Sequence, residues 1–101
     1  MRFDRFTIKS QELVQNAQAL ASRHGHPQIE PEHLLAVMLS DRGGIAVSML
    51  RKLGAAPEAL AAELMRALER LPKVSGAGVG ETSISPRTKG VLEAAFAEAS
   101  R

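Results

Sequence analysis

Cysteine, tryptophan and tyrosine are absent from this sequence, and three phenylalanines are its only Phe, Tyr or Trp residues. Because there is no cysteine, the chain can form no disulfide, no thiol nucleophile and no thiolate metal site. The expected compartment is therefore the reducing cytoplasm. Proteins that bind single-stranded nucleic acid need aromatic stacking surfaces, and Phe3, Phe6 and Phe96 are too few to build one.

Long apolar runs and a dominant charge are also missing. The longest apolar run, Leu34–Leu39, has six residues, whereas a membrane-spanning helix needs about 20. The first ten residues lack the apolar stretch of a secretory signal. The net charge is only +2, and nucleic-acid binders concentrate far more positive charge on one face. We therefore expect neither a membrane nor nucleic acid as a partner.

Alanine and leucine dominate the apolar residues that are present. The chain has 16 Ala and 12 Leu against ten Val and Ile together, a balance that favours helix over sheet. In five segments the apolar residues recur at spacings of three and four, which is the pattern of one helix face. A length of 101 residues fits one small domain. The sequence predicts an all-α helical bundle of five helices.

The first helix has two candidate starting points. Thr7 is the preferred N-cap, and Gly25 is a natural end. Asp4 would also cap the helix, and it would let Phe3 pack against Ile8. We favour Thr7.

Proline and glycine mark the ends of the next three helices. Proline at a first helical position and flanking carboxylates predict a second helix over Pro31–Ser40. Gly43 and Gly44 interrupt the chain, and a short third helix follows, ending at Gly54. A fourth helix is predicted from Pro57 to just before Pro72. The predicted buried stripe of the third helix is Ile45, Ala46, Met49, Leu50 and Leu53.

Residues 73–84 form a segment without helical periodicity that contains three alternate glycines. We predict a mobile, Gly-rich linker. Part of it, Ser75–Ser83, invites comparison with a phosphate-binding P-loop. Ser75 replaces the first glycine of that motif, and Glu81 replaces the lysine that must meet the phosphates. A carboxylate repels phosphate, so this comparison fails.

The last predicted helix resembles the first. Ser85 and Pro86 repeat a cap and first-turn signature, and Ile84–Arg101 aligns with Phe6–Arg23 at an offset of 78, with five of 18 positions identical. Chance similarity between two Ala-rich helices is the alternative to a repeat. We predict a complete four-helix repeat (residues 1–72), the linker (73–84) and the first helix of a truncated second repeat (85–101). The apolar stripe of that helix is Thr88, Val91, Leu92, Ala95, Phe96 and Ala99.

Three histidines and two glutamates lie close together in the sequence, and all five are residue types that can bind a metal. They are His24, His26, His33, Glu30 and Glu32. Nothing in their spacing makes them converge, so packing or hydrogen bonding in the second helix is the favoured role of His33. The two carboxylates are better explained as partners of the helix dipole than as a general acid and base.

Three methionines could form an adaptable binding surface. Met38 and Met49 lie on apolar stripes, so we assign them to the core, whereas Met65 sits beside its stripe and stays open. No Ser-His-Asp arrangement is present. The sequence therefore predicts no catalytic residue, no bound metal and no cofactor in this chain.

Four motifs of the sequence are distinctive: the opening Met1–Thr7, Ile29–Leu35 with its Glu-His-Leu-Leu element, the Gly43–Gly44 break and Leu68–Val74. They resemble the N-terminal domains of Clp-type AAA+ chaperones, and of ClpB-type disaggregases in particular. The resemblance covers the whole chain. It implies a domain of two pseudo-symmetric four-helix repeats, which agrees with the offset of 78.

The resemblance also implies a function. The domain would bind exposed apolar segments of unfolded or aggregated polypeptides in a groove where the repeats meet. Thr7 matches a residue that the family uses, and Leu13, Ala17 and Leu92 match apolar positions near the repeat junction. Gly90 and Thr88 depart from the family pattern.

The same resemblance implies a parent protein with two ATPase modules, which would bind ATP and Mg²⁺. That parent would be a homohexamer that cooperates with a DnaK-type chaperone system in the cytoplasm. Two alternatives remain open: the adaptor-docking N-domain of a protease-associated Clp unfoldase, and a purely structural helical module.

Truncation of the second repeat would leave an apolar stripe without its covering helices. The fifth helix should then either dock on the first repeat or exchange to a second chain. We predict concentration-dependent self-association through Val91, Leu92 and Phe96.

Overall fold

The computed structural model of the protein describes residues 6–74 and 82–100. Five α-helices and two very short strands follow one another along these residues. In chain order they are α1 (Ile8–Arg23), β1 (Gln28–Ile29), α2 (Pro31–Ser40), α3 (Ile45–Lys52), α4 (Pro57–Arg70), β2 (Ser83–Ile84) and α5 (Pro86–Ala99). The predicted all-α class and the helix positions are confirmed. The predicted alternative cap at Asp4 and the centre of the linker, residues 75–81, lie outside the described residues.

Side-chain caps and glycine turns set the limits of the helices. Thr7 is the N-cap of α1, as predicted: its Oγ1 accepts a hydrogen bond from the Ser10 backbone N–H at 3.0 Å. Ser85 caps α5 in the same way. Gly25, just after α1, has φ +72°, a conformation that side chains with a Cβ rarely adopt.

The helices enclose two apolar clusters. The first lies between α1, β1 and α2, with Val14, Ala17, Ala21, Ile29 and Leu34 buried in it. Leu92 of α5 packs against the edge of this cluster. The second joins α2, α3 and α4 through Leu39, Val47 and Leu64. Because α2 contributes to both clusters, it is the central helix of the bundle.

The prediction of the buried stripe of α3 is wrong for three of its five residues. Ile45, Met49 and Leu53 are 77%, 57% and 79% exposed, whereas Val47, which lay outside the predicted stripe, is buried at 4%. Periodicity gives the width of an apolar stripe, but packing against α2 and α4 selects which edge turns inward.

A parallel two-residue ladder ties the end of the linker to the first repeat. Gln28 pairs with Ser83 and Ile29 with Ile84. The Ser83 N–H donates to the Pro27 carbonyl at 3.3 Å, and the Ser85 N–H donates to the Ile29 carbonyl at 3.2 Å. Residues 83 and 84, the last two of the predicted linker, are therefore paired with β1 in this ladder. The two strands carry no period-2 pattern long enough to be read from sequence.

No single helix within the described ranges has the length and hydropathy of a membrane span. By those two criteria α2 and α3 would qualify only as a pair, and the chain bends by 89° between them.

Candidate functional site

One concave surface on the described part of the chain is an open groove. It has a volume of about 710 Å³ and lies between the first half of α1, the end of α2 and the turn into α3. Leu13, Val37, Met38 and Ile45 give it apolar walls. Lys9, Glu12 and Asp41 add charged groups to its lining.

The groove exists because the turn between α2 and α3 is tight. The Gly44 backbone N–H donates to the Asp41 carbonyl at 2.9 Å. A Cβ at position 44 would come within 2.8 Å of Asp41 Oδ2 and 3.0 Å of Asp41 O, so glycine permits this close approach. The turn then presents Ile45 at the groove with 77% of its surface exposed.

The chemistry of the groove suits apolar binding. Met38 is 40% exposed, and its unbranched side chain can adapt to differently shaped partners. Binding sites for apolar ligands are lined mainly by hydrophobic side chains with a few polar groups that orient the ligand. This groove combines the apolar side chains of Leu13, Val37, Met38 and Ile45 with six polar or charged side chains. Its open form suits a chain segment better than an enclosed small molecule.

The four residues suggested by the family resemblance occupy different environments. Thr7 is exposed at the start of α1, and Leu13 is half-buried in the groove wall. Ala17 is fully buried at 0% exposure, so it supports the core and cannot touch a client while the domain is folded. Leu92 is half-buried and packs against the same core cluster as Leu13. Leu13 is thus the one apolar residue of the set that lines the groove.

The methionine assignments need correction. Met38 and Met49 were predicted to lie in the core, but they are 40% and 57% exposed. Met65, which the sequence left open, is 49% exposed. The physical reason is that the core clusters are already filled by leucine, valine and alanine, so the methionines remain at the surface.

His26 and His33 form a buried contact with each other. His33 is fully buried in the first turn of α2, as predicted, and its Nδ1 accepts the Glu30 backbone N–H at 2.7 Å. His26 Nδ1 lies 2.8 Å from His33 Nε2. Within the described residues no group of three or more His, Asp or Glu side chains is placed to hold a metal ion.

A polar network attaches α5 to the first repeat. Thr88 Oγ1 donates to the Ile29 carbonyl at 2.7 Å, and Ser85 Oγ donates to Glu30 Oε1 at 2.7 Å. Arg87 lies 3.1 Å from carboxylate oxygens of both Glu30 and Glu32. The pKa of Arg87 is raised, chiefly by the charge of Glu32 and by hydrogen bonds to both carboxylates. These glutamates therefore hold α5 in addition to standing at the start of α2.

Apolar contacts complete the attachment of α5. The rings of Phe96 and Phe6 have centroids 4.9 Å apart, and Leu92 reaches the core cluster. In this structure α5 therefore docks on the preceding helices of the same chain. Val91 nevertheless remains 47% exposed. Self-association through α5 stays a prediction, which sedimentation equilibrium of the wild type and of Phe96→Asp would test.

Besides Met38, two residues of the groove were not predicted from the sequence. Val37 was not identified as a candidate, and Ile45 was assigned to a buried stripe. The available signal was the Gly43–Gly44 break directly before Ile45, because a residue at the start of a short helix has few neighbouring turns to cover it. The polar network was also missed, since its partners are more than 50 residues apart in sequence.

Comparison with protein families and curated proteins gives consistent matches. Residues 5–101 match the family described as "Clp repeat (R) N-terminal domain". The chain is 36% identical over 95 residues to the chaperone protein ClpB of Rhodopseudomonas palustris, covering 94% of this chain and 11% of that protein. It is 39% identical over 93 residues to ClpB of Bdellovibrio bacteriovorus, covering 92% of this chain and 11% of that protein. The chain thus spans about a tenth of the length of these relatives.

A solved structure supports the fold. The N-domain of ClpV from Vibrio cholerae superimposes with a TM-score of 0.81 at 18% sequence identity. The match covers 97% of this chain and 57% of that one. At this identity the similarity shows a shared helical architecture.

Proposed function

The chain belongs to the Clp repeat N-terminal domain family, and from this premise we propose that it is the client-binding N-domain of a ClpB-like protein disaggregase. It binds exposed apolar segments of unfolded or aggregated polypeptides. The observation that carries the proposal is the open groove whose apolar walls are Leu13, Val37, Met38 and Ile45.

The exposure of the groove residues supports recognition of unfolded clients. A folded client hides its apolar side chains, whereas an unfolded client offers them in many sequences. Ile45 and Met38 supply apolar area that is already free of other contacts on one side, being 77% and 40% exposed. Each large side chain that such a surface covers contributes on the order of 1.5–3 kcal/mol at most, so single-segment binding is weak.

The placement of the groove differs from the repeat junction that the family resemblance implied. Leu13 belongs to both descriptions, because it lies on α1 in the groove wall and packs against the cluster that Leu92 also touches. We propose that clients contact Leu13 from the side of α2 and α3, where Met38 and Ile45 are accessible.

The rest of the proposed machine lies in the parent protein. We propose that ATPase modules of that parent bind ATP and Mg²⁺, that it assembles as a homohexamer in the cytoplasm, and that it cooperates with a DnaK-type chaperone system. The relatives that support this carry the name chaperone protein ClpB. The present domain would collect clients for those modules.

The test is a titration of the domain with a reduced and carboxymethylated model protein, which stays unfolded. Changes in the backbone amide chemical shifts of the domain give the binding affinity. Ile45→Ser removes apolar area from the groove and is expected to weaken binding by about threefold or more. Leu53→Ser is the matched control, because Leu53 is equally exposed at 79% but does not line the groove. It should leave the affinity within about twofold.

Three outcomes would contradict or relocate the site. Equal losses in Ile45→Ser and Leu53→Ser would show that any exposed apolar residue suffices and that the groove is not the site. A loss of affinity in Val91→Ser without a loss of affinity in Ile45→Ser would show that clients bind at α5. Tight one-to-one binding to a folded adaptor, without affinity for the unfolded chain, would favour the alternative of an adaptor-docking domain.

A further inference from the structure

Two buried histidines touch each other beneath the segment that holds α5. His26 follows α1 in the chain and His33 is in the first turn of α2, with exposures of 2% and 0%. Their facing nitrogens, His26 Nδ1 and His33 Nε2, are 2.8 Å apart. On its other side His33 Nδ1 accepts the Glu30 backbone N–H at 2.7 Å.

These two hydrogen bonds permit a single arrangement of protons on the neutral pair. A backbone N–H is always a donor, so His33 Nδ1 must be unprotonated and His33 Nε2 must carry the hydrogen. That hydrogen is donated to His26 Nδ1, and His26 therefore carries its own hydrogen on Nε2. One additional proton has to enter at the Nδ1 of one ring. Wherever it enters, two N–H groups then face each other and one of the two hydrogen bonds is lost.

The surroundings of His26 make protonation costly. Burial lowers its pKa most, and the positive charges of His24 and Lys73 lower it further. The Leu68 backbone and Glu69 raise it by smaller amounts. The pKa of His26 is lowered on balance.

His33 is in the same position for similar reasons. Its pKa is lowered first by burial and then by the charge that His26 would carry. Glu30 and Glu32 raise the pKa, and His24 lowers it again. On balance the pKa of His33 also lies below that of a free histidine.

The segment between the two rings carries the attachment of α5. The Ile29 carbonyl accepts hydrogen bonds from the Ser85 N–H and from Thr88 Oγ1. The Glu30 carboxylate accepts from Ser85 Oγ and from Arg87. Each end of this segment is therefore fixed by one histidine of the pair, and its middle is fixed to α5.

We propose that the His26–His33 pair is a proton-operated latch: acidification breaks one hydrogen bond of the pair, loosens residues 26–33 and releases α5 from the first repeat. Release uncovers Leu92, which packs against the first apolar cluster in the closed form, and Phe96, whose ring contacts that of Phe6. The latch gives the domain a second state, one with additional apolar surface.

The direction of the pH effect follows from linkage. Both histidines have lower pKa values in the folded state than in the unfolded state, so the unfolded state binds more protons. The stability that depends on the neutral pair is fully present above the unfolded pKa of about 6.5 and declines as the pH falls below it.

Nitrogen-15 NMR of the wild-type imidazoles tests the arrangement directly. Both rings should be neutral at about pH 7.5 with hydrogen on Nε2 and an unprotonated Nδ1. Hydrogen exchange then tests the release: from about pH 7.5 to about pH 5, amide protection of α5 should fall at least tenfold more than protection of α4. Hydrogen on Nδ1 of either ring, or parallel loss of protection in both helices, would overturn the latch.

Substitution separates the pair from general acid sensitivity. His33→Gln keeps a polar side chain near Glu30 but does not titrate, so the pH dependence of its α5 protection should be clearly weaker than in the wild type, because only His26 of the pair still titrates. His24→Gln is the matched control, because His24 stacks beside His26 at 5.4 Å without joining the hydrogen bonds of the pair. Its α5 protection should still fall on acidification, with the midpoint displaced to higher pH because the charge of His24 lowers the pKa of both His26 and His33. A lost response would refute the assignment. If His33→Gln does not fold, the two wild-type measurements decide.

Discussion

The helices α1 and α5 begin with the same type of N-cap hydrogen bond, but the two caps are buried to very different extents. Thr7 Oγ1 accepts the Ser10 N–H at 3.0 Å, and Ser85 Oγ accepts the Thr88 N–H at 3.1 Å, in positions separated by the same offset of 78. Thr7 is exposed, whereas Ser85 and Thr88 are 2% and 1% exposed. A cap therefore determines where a helix starts but not whether its start lies in the core.

The middles of the two helices show the opposite difference. Ala17 of α1 is fully buried, and the equivalent Ala95 of α5 is exposed. The first helix is buried at Val14, Ala17 and Ala21, while the fifth reaches the rest of the chain mainly through its first turn, Leu92 and Phe96. Equivalent residues of the two helices consequently allow matched experiments.

The largest expected effect concerns the two equivalent alanines. Ala17→Leu forces three extra carbons into a filled cluster and should lower the free energy of unfolding by about 2–3 kcal/mol. Ala95→Leu places the same side chain in solvent and should change it by less than about 0.5 kcal/mol. Urea denaturation followed by circular dichroism measures both. Similar costs at the two positions would mean that α5 is covered as fully as α1.

A second comparison uses the hydroxyls of the two first turns. Thr88→Val keeps the shape of the side chain but removes its donor to the Ile29 carbonyl, and should cost about 1.5 kcal/mol because the site is buried. Ser10→Ala alters the equivalent position, which is only partly buried, and should cost less than about 0.5 kcal/mol. If α5 loses amide protection in Thr88→Val but not in Ser10→Ala, the destabilisation comes from the weakened attachment of α5. An equal cost in both variants would contradict the difference in burial.

The exposed cap should still matter for stability. Thr7→Ala leaves the Ser10 N–H without its partner and should lower the free energy of unfolding by about 1 kcal/mol. Thr7→Ser keeps the acceptor oxygen and should restore most of that loss. Affinity for the unfolded model protein should be unchanged in both variants. A loss of affinity without a loss of stability would instead make Thr7 a client contact.

The smallest expected effect is a gain. Gly90 lies within α5, and a Cβ there would meet nothing within 4 Å. Gly90→Ala should therefore raise the free energy of unfolding by about 0.5–1 kcal/mol. Gly44→Ala is the matched control and should destabilise, because its Cβ would meet Asp41 O at 3.0 Å. A neutral Gly90→Ala would show that α5 frays independently of the fold.

Much of the fold was predictable because its signals are local. Thr7, Pro31, Pro57 and Ser85 mark helix starts through their own conformational and hydrogen-bonding preferences. Glycine marks the end of α1 for an equally local reason. Such signals act within one turn of helix, so no knowledge of distant contacts was needed.

The candidate site was less predictable because it depends on which side of an apolar stripe turns outward. Ile45, Met49 and Leu53 have the spacing of a buried face, and Val47 does not share that face. The choice between them was made by the positions of Leu39 and Leu64 on neighbouring helices. The groove at Met38 and Ile45 is a consequence of that choice.

The sequence by itself determined the helical class, the helix boundaries and the similarity between the first and fifth helices. Composition, periodicity and caps suffice for these, since each is a property of a few consecutive residues. Only the tertiary structure decided that Ile29 and Glu30 hold α5, that His26 meets His33, and that Ile45 faces solvent. Those outcomes rest on contacts between residues that are distant in sequence or on different elements, where burial and hydrogen-bond geometry depend on how the helices pack.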